Sequence, residues 1–323
     1  LYETLHGGPG TDYKRSSQFS VWKKVFKMFF FRSQQNVCCL AWYLATAVAW
    51  TSRLVTPMNA QEAPTLDLAY RQFQAGRLED AQKTLTSFIE KNTDNTSAFV
   101  LRAQIRESLK DFVAARSDYD RWIELTPQEA QAWNRRGGLR FKAGDVKGSI
   151  EDFDHAISLD ENLERSHWQR GLSYCYDGRF AEGAKQFELY QTYDATDVEN
   201  VVWKFLCQAR HAGIEKARQD MLPLTQPDQR IPMMQIDALY RGQGSAEDVL
   251  VALEQGNPAE RERRHRSFYA HLYLGLYFEV LEDEETARRH LLEADRLEIS
   301  HYMWYVAHLH AARIRGQHAE PGG

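Results

Sequence analysis

A skeleton that returns every 34 positions limits what this chain can become more than any other feature. The stretches "AWNRRGGLRFKAGD" (132–145) and "SHWQRGLSYCYDGR" (166–179) align so that Gly137 matches Gly171 and Gly144 matches Gly178. Frames of 34 residues laid from Glu62 restart at Thr96, Ala130, Glu164 and Val198 with no insertion. Slot 8 of the frame holds Ala69, Ala103, Gly137 and Gly171, and slot 20 holds Ala81, Ala115, Ser149 and Gly183. Slot 24 is large and apolar, as Leu85, Tyr119, Phe153 and Phe187, while slot 15 is Gly76, Gly144 and Gly178. Glycine costs a helix interior about 1 kcal/mol relative to alanine. Its recurrence therefore predicts close-packed helix pairs, with slots 8 and 20 letting two helices approach and slot 15 turning the chain between them. The fold class that follows is all-α, a stack of helical hairpins.

The same slots resemble the tetratricopeptide repeat, whose pattern places Trp, Leu-Gly, Tyr, Ala, Phe, Ala and Pro there; Trp133 and Pro127 are further matches. The resemblance implies a right-handed helix-turn-helix solenoid with a capping helix. Arg102, Arg136 and Arg170 occupy slot 7, where the pattern has leucine, and Arg140 departs again at slot 11. Their aliphatic stems are expected to cover apolar surface while the charged heads stay in water.

The frame divides the chain. Residues 1–60 form an extension, 62–197 four tandem repeats, and 198–266 a degenerate repeat followed by a non-repeat helical pair. In that third part Pro223 and Pro227 end the second helix early, residues 223–231 read as a connector, and Ser245 with Asp248 predicts a helix start. A sixth unit with Leu274-Gly275 at slots 7 and 8 and a terminal helix fill 267–314, and 315–323 is a loose tail. This order, with the "LYLGLYF" helix, is similar to the bacterial envelope repeat adaptors of the new-lipoprotein-I type. That likeness implies a homodimeric, non-enzymatic scaffold linking proteases and peptidoglycan hydrolases in the periplasm.

In the repeat fold, slots 2, 5, 9, 12 and 13 of the first helices face a concave groove. Their occupants here are Gln104 and Glu107, then Asn134, Phe141 and Lys142, then Arg165, Trp168 and Tyr176, and finally Arg210. Apolar anchors beside cations suit an extended acidic or carboxylate-ended peptide, so a protein or peptide partner is expected. The alternative is that these aromatics only fill space, or that they bind an envelope glycan or small ligand. The carboxylate clamp of chaperone-binding repeats is not carried over, because Leu66 and Tyr70 stand at its first places.

Residues 1–60 carry seven Lys/Arg against two acids, so 33 of the 40 bases and 43 of the 45 acids fall after them. An acidic body argues against a nucleic-acid partner. Within the extension, Lys23, Lys24, Lys27 and Arg32 precede the apolar run "VCCLAWYLATAVA" (37–49), the pattern of an export signal cleaved after Ala49 or Ala60. An uncleaved anchor is the alternative. The residues before Cys38 do not fit a lipid-attachment site, so export to the periplasm or envelope is expected without a lipid anchor. Cys175 and Cys207 are expected as buried free thiols rather than a disulfide.

Signals for chemistry are weak. His308 and His310 diverge on a helix, "GGPG" lacks the Lys-Ser of a phosphate loop, and "RERRHR" (261–266) reads as the wet face of a helix. No catalytic residue, cofactor or metal is expected. The stripe Tyr269, Tyr273 and Tyr277, with Tyr302, Trp304 and Tyr305, is either an interior seam or a dimer face.

Overall fold

The computed structural model describes residues 63–316, so the expected export segment, Cys38 and Cys39, and the tail beyond Gly316 lie outside the described residues. Within these bounds the regular structure is helical. Four hairpins open the fold: α1 (Leu66–Gln74) with α2 (Leu78–Ile89), α3 (Thr96–Ser108) with α4 (Phe112–Leu125), α5 (Ala130–Lys142) with α6 (Val146–Leu159), and α7 (Trp168–Tyr176) with α8 (Phe180–Tyr190). They are followed by α9 (Val198–Ala212), a short α10 (Ile214–Gln219), α11 (Met233–Tyr240), α12 (Ala246–Ala252), α13 (Glu260–Val280), α14 (Glu284–Arg296) and α15 (Tyr302–Ile314). None of the described helices is long and apolar enough to cross a membrane.

The small slots do steric work. A Cβ on Gly137 would sit 2.7 Å from the Phe153 ring, one on Gly171 2.8 Å from that of Phe187, and one on Gly275 2.5 Å from Cγ of Leu291. Slot 8 of one helix thus receives slot 24 of its partner, and the helical cost of glycine is offset by burial of a large ring. At slot 15, Gly76, Gly144 and Gly178 turn with φ of 73°, 87° and 79°. Lys110 and Glu282 stand at the same slot and adopt φ of 61° and 63° without glycine.

The arginines of slot 7 are not wet, which corrects the expectation from their stems. Arg102 donates to Asp118 at 2.7 Å, Arg136 to Asp152 at 2.6 Å, and Arg170 to Gln186 at 3.0 Å, all 16 residues downstream on the second helix. Each guanidinium also reaches back to the preceding repeat: Arg102 to Thr86, Arg136 to Asp120, Arg170 to Asp154. Asp118 and Asp152 are 2% and 1% exposed, so the heads lie in the interior, held by carboxylates that burial alone would disfavour. Arg140 adds a second cation to Asp152 at 3.3 Å. The result is a ladder of polar rungs that registers each repeat on the one before.

The fourth repeat starts late. Residues 161–166 form a 3-10 turn, and His167 caps α7 by accepting the Arg170 N–H on Nδ1 at 3.2 Å. Beyond it, Cys175 of α7 and Cys207 of α9 are joined as a disulfide, contrary to the expected free thiols, with their Cα atoms 5.9 Å apart. Gly183 on α8 makes room for it, since a Cβ there would lie 2.9 Å from both sulfurs. Ser245 and Asp248 form a reciprocal capping box at the start of α12. In "RERRHR", Arg266 departs from the wet-face reading: it is 8% exposed and donates to the carbonyls of Leu253 and Gln255. Buried side chains drawn from Phe141 through Leu309 form one large core cluster, which includes Tyr273 and Tyr277 of the tyrosine stripe.

Candidate partner-binding site

The nine groove positions do not line one open trough. Helix α15 is seated among them and divides them into two sets. Tyr302 stacks on Phe141 with ring centroids 5.7 Å apart and meets the Trp168 ring edge-on at 5.1 Å. The Tyr176 hydroxyl donates to the Val306 carbonyl at 3.2 Å and contacts Nδ1 of His310 at the same distance. Arg313 lies over the Tyr176 ring at 4.8 Å and donates to the Tyr176 carbonyl. Burial pushes the Tyr176 phenol well above its ordinary range, so it serves here as a neutral donor. Phe141, Trp168 and Tyr176 are therefore brought together, and what they hold is α15 of their own chain.

On one side of α15 remains a cleft of about 610 Å³. Gln104 and Glu107 of α3 and Lys142 of α5 form one wall, and Trp304 and Tyr305 of α15 form the other. Lys142 is oriented by Glu107 at 2.7 Å and sits 5.2 Å from the Tyr305 ring centroid. Lys110 lies 4.4 Å over Trp304 and pairs with Glu298. With Arg135 and Arg264 also at the rim, four cations face two carboxylates, Glu107 and Glu298. Such a lining favours an anionic guest with an apolar side.

On the other side is a smaller pocket of about 340 Å³, bounded by Tyr176, Arg210, Glu279 and Arg313 with the disulfide in its wall. Arg210 is tied to Glu279 at 2.7 Å, and His310 reaches the same carboxylate at 3.1 Å. Burial would raise the Glu279 carboxyl, but His310 and Arg210 hold it below the usual glutamate range. The last two groove positions stand apart from both spaces. Asn134 is half-buried with Oδ1 unpartnered, and Arg165, in the 3-10 turn, is exposed. His308 and His310 take separate partners, Asp295 and Glu279, as their divergence on the helix predicts.

Sequence reasoning missed the seat of α15. Its signal was the density of Tyr302, Trp304 and Tyr305 in a helix expected only to cap the stack, where a polar outer face is the norm.

Comparison with known proteins matches residues 66–130 to the tetratricopeptide repeat family. That stretch, from α1 into the start of α5, is a tetratricopeptide repeat segment. The chain is similar to the lipoprotein NlpI homolog of Haemophilus influenzae, 27% identical over 115 residues, which are 36% of this chain and 37% of that protein. It is also similar to tetratricopeptide repeat protein 36 of Danio rerio, 38% identical over 82 residues, 24% of this chain and 44% of that protein. The chain thus spans less than half the length of either relative. Among solved structures, the C-terminal part of a repeat-containing protein from Cytophaga hutchinsonii aligns with 75% of this chain and 99% of its own at 15% identity and a TM-score of 0.47. Tetratricopeptide solenoids present extended surfaces for other chains, and in this one part of that surface is already covered by α15.

Proposed function

We propose that this tetratricopeptide repeat protein is a non-catalytic interaction scaffold of a bacterial cell envelope, docking an acidic segment of a partner protein in the cleft between α3, α5 and α15. The observation that carries this reading is the lining of the 610 Å³ cleft, with Trp304 and Tyr305 as apolar anchors and Lys110, Arg135 and Lys142 as cations. Buried aromatics flanked by charge are the usual anchors of protein interfaces. The envelope assignment draws on the likeness to the NlpI homolog and on the disulfide between Cys175 and Cys207, because structural disulfides persist in oxidising compartments. By extension from the family the sequence resembles, the partners are proteases and peptidoglycan hydrolases.

The test is site-specific photocrosslinking in cells, with a benzophenone amino acid at Gln104 and a control at Val113, which is 53% exposed on α4. The expected result is a discrete protein adduct at Gln104 that is absent at Val113 and lost when Arg135→Glu is added. Adducts indistinguishable from the control, or adducts only to glycan strands, would remove the scaffold reading.

A further inference from the structure

A third space, of about 210 Å³, opens on the other side of Trp168, between α7, α8, α9 and the start of α15. Its apolar walls are Trp168, Phe187 and Tyr190, and its polar wall is the first turn of α9. Three carboxylates gather there, Asp197, Glu199 and Asp228, around one guanidinium, Arg230, which bonds all three. The formal balance is two negative charges in excess. Glu199 is fully engaged: Oε1 accepts from Arg230, and Oε2 accepts from the Tyr273 hydroxyl at 2.6 Å. Asp197 is not, since both hydrogen bonds it accepts, from Arg230 and from the Glu199 N–H, converge on Oδ1.

A second observation is independent of the charges. Asn200, one turn into α9, is 2% exposed and lines the same space, and its Oδ1 is buried with no donor. The amide orientation is fixed, because Gln191 donates its own NH₂ to the Pro223 carbonyl and so offers only Oε1 to Asn200 Nδ2, at 3.1 Å. A buried acceptor left without a donor costs about 1–3 kcal/mol, and native structures seldom leave one without an ordered water or a guest to supply the donor. Asp197 and Asn200 thus leave acceptors to be met in a space of excess negative charge, beside a slot walled by aromatic rings.

We propose that this pocket binds an organic cation: an alkylammonium or guanidinium group whose N–H donors meet Asp197 and Asn200 while its aliphatic stem lies against Trp168 and Tyr190. The site is separate from the 610 Å³ cleft and does not depend on the scaffold reading. Burial and the neighbouring Glu199 raise the Asp197 carboxyl to about 6 against the opposing pull of Arg230, as expected where negative charge is under-compensated. An entering cation relieves that excess. The same chemistry can come from a free small amine or from a lysine or arginine side chain of a partner.

The test is calorimetric titration of the full chain with agmatine, cadaverine and the blocked peptide acetyl-Gly-Arg-Gly-amide, with the neutral isostere acetyl-Gly-citrulline-Gly-amide as control. Saturable one-to-one binding of the cations without binding of the citrulline peptide is expected. Binding of the free amines identifies a small-molecule site, and binding of the arginine peptide alone identifies a partner side chain. Asp197→Asn keeps the helix cap and is expected to weaken binding about tenfold or more. Asn200→Ala removes the open acceptor and is expected to weaken it as well. Absence of saturation by every cation, equal binding of the citrulline peptide, or unchanged affinity in both variants would overturn the assignment.

Discussion

Glu282 holds a left-handed backbone on an exposed turn, at a slot that is glycine in three other repeats. A non-glycine residue there carries a cost of about 1 kcal/mol, so Glu282→Gly is expected to raise stability by that amount in urea denaturation. Lys110 has the same conformation but also pairs with Glu298 and covers Trp304, so its replacement would mix two effects. Two histidines contribute to the response to acid. Burial, then Arg170, lowers His167 to about 4, and burial, then His271, lowers His290 to about 4. The folded protein therefore resists protonation that the unfolded chain accepts. Their contribution is complete above the unfolded value of about 6.5 and is lost as pH falls toward 4, at up to about 1.4 kcal/mol per pH unit for each. His167→Asn retains a capping side chain and should flatten that slope by one proton, read from denaturation midpoints between pH 7 and 4. The glycines of slots 8 and 15 were legible in the sequence because their repetition has no other cheap explanation. The turn at Glu282 was not, since there the neighbouring helices impose the conformation on a residue that does not prefer it.

At the scale of elements, the buried arginine ladder does what leucine does elsewhere, with a stricter geometric demand. Asp152→Ala would leave Arg136 with only Asp120 and Arg140 without its nearest carboxylate, and a cost of about 3 kcal/mol is expected in thermal or chemical denaturation. The frame made slot 7 visible, and the acids 16 positions on were there to be paired with it. A sequence read as isolated side chains hides this, because two residues that face each other across a hairpin are far apart along the chain. The disulfide was hidden for a similar reason. Its one clue is Gly183, whose missing Cβ vacates the volume the sulfurs occupy.

For the whole molecule, the decisive element is α15. Tyr302→Ala would strip Phe141 and Trp168 of their cover, and a loss of about 3 kcal/mol is expected together with red-shifted tryptophan emission. An unshifted spectrum would mean that α15 does not seal this face in solution. The all-helical architecture of the described residues followed from periodicity alone. Where the last helix would rest did not, because a periodic pattern specifies contacts between neighbours and says nothing about a contact between residues 141 and 302.

That contact also sets an order of events. A ribosome releases the aromatic face of α5 and α7 well before it releases Tyr302, so during synthesis this face is wet until α15 emerges. The nascent chain must be shielded through that interval, and a chain truncated before α15 would carry a permanently sticky flank, open to aggregation and to proteolytic clearance.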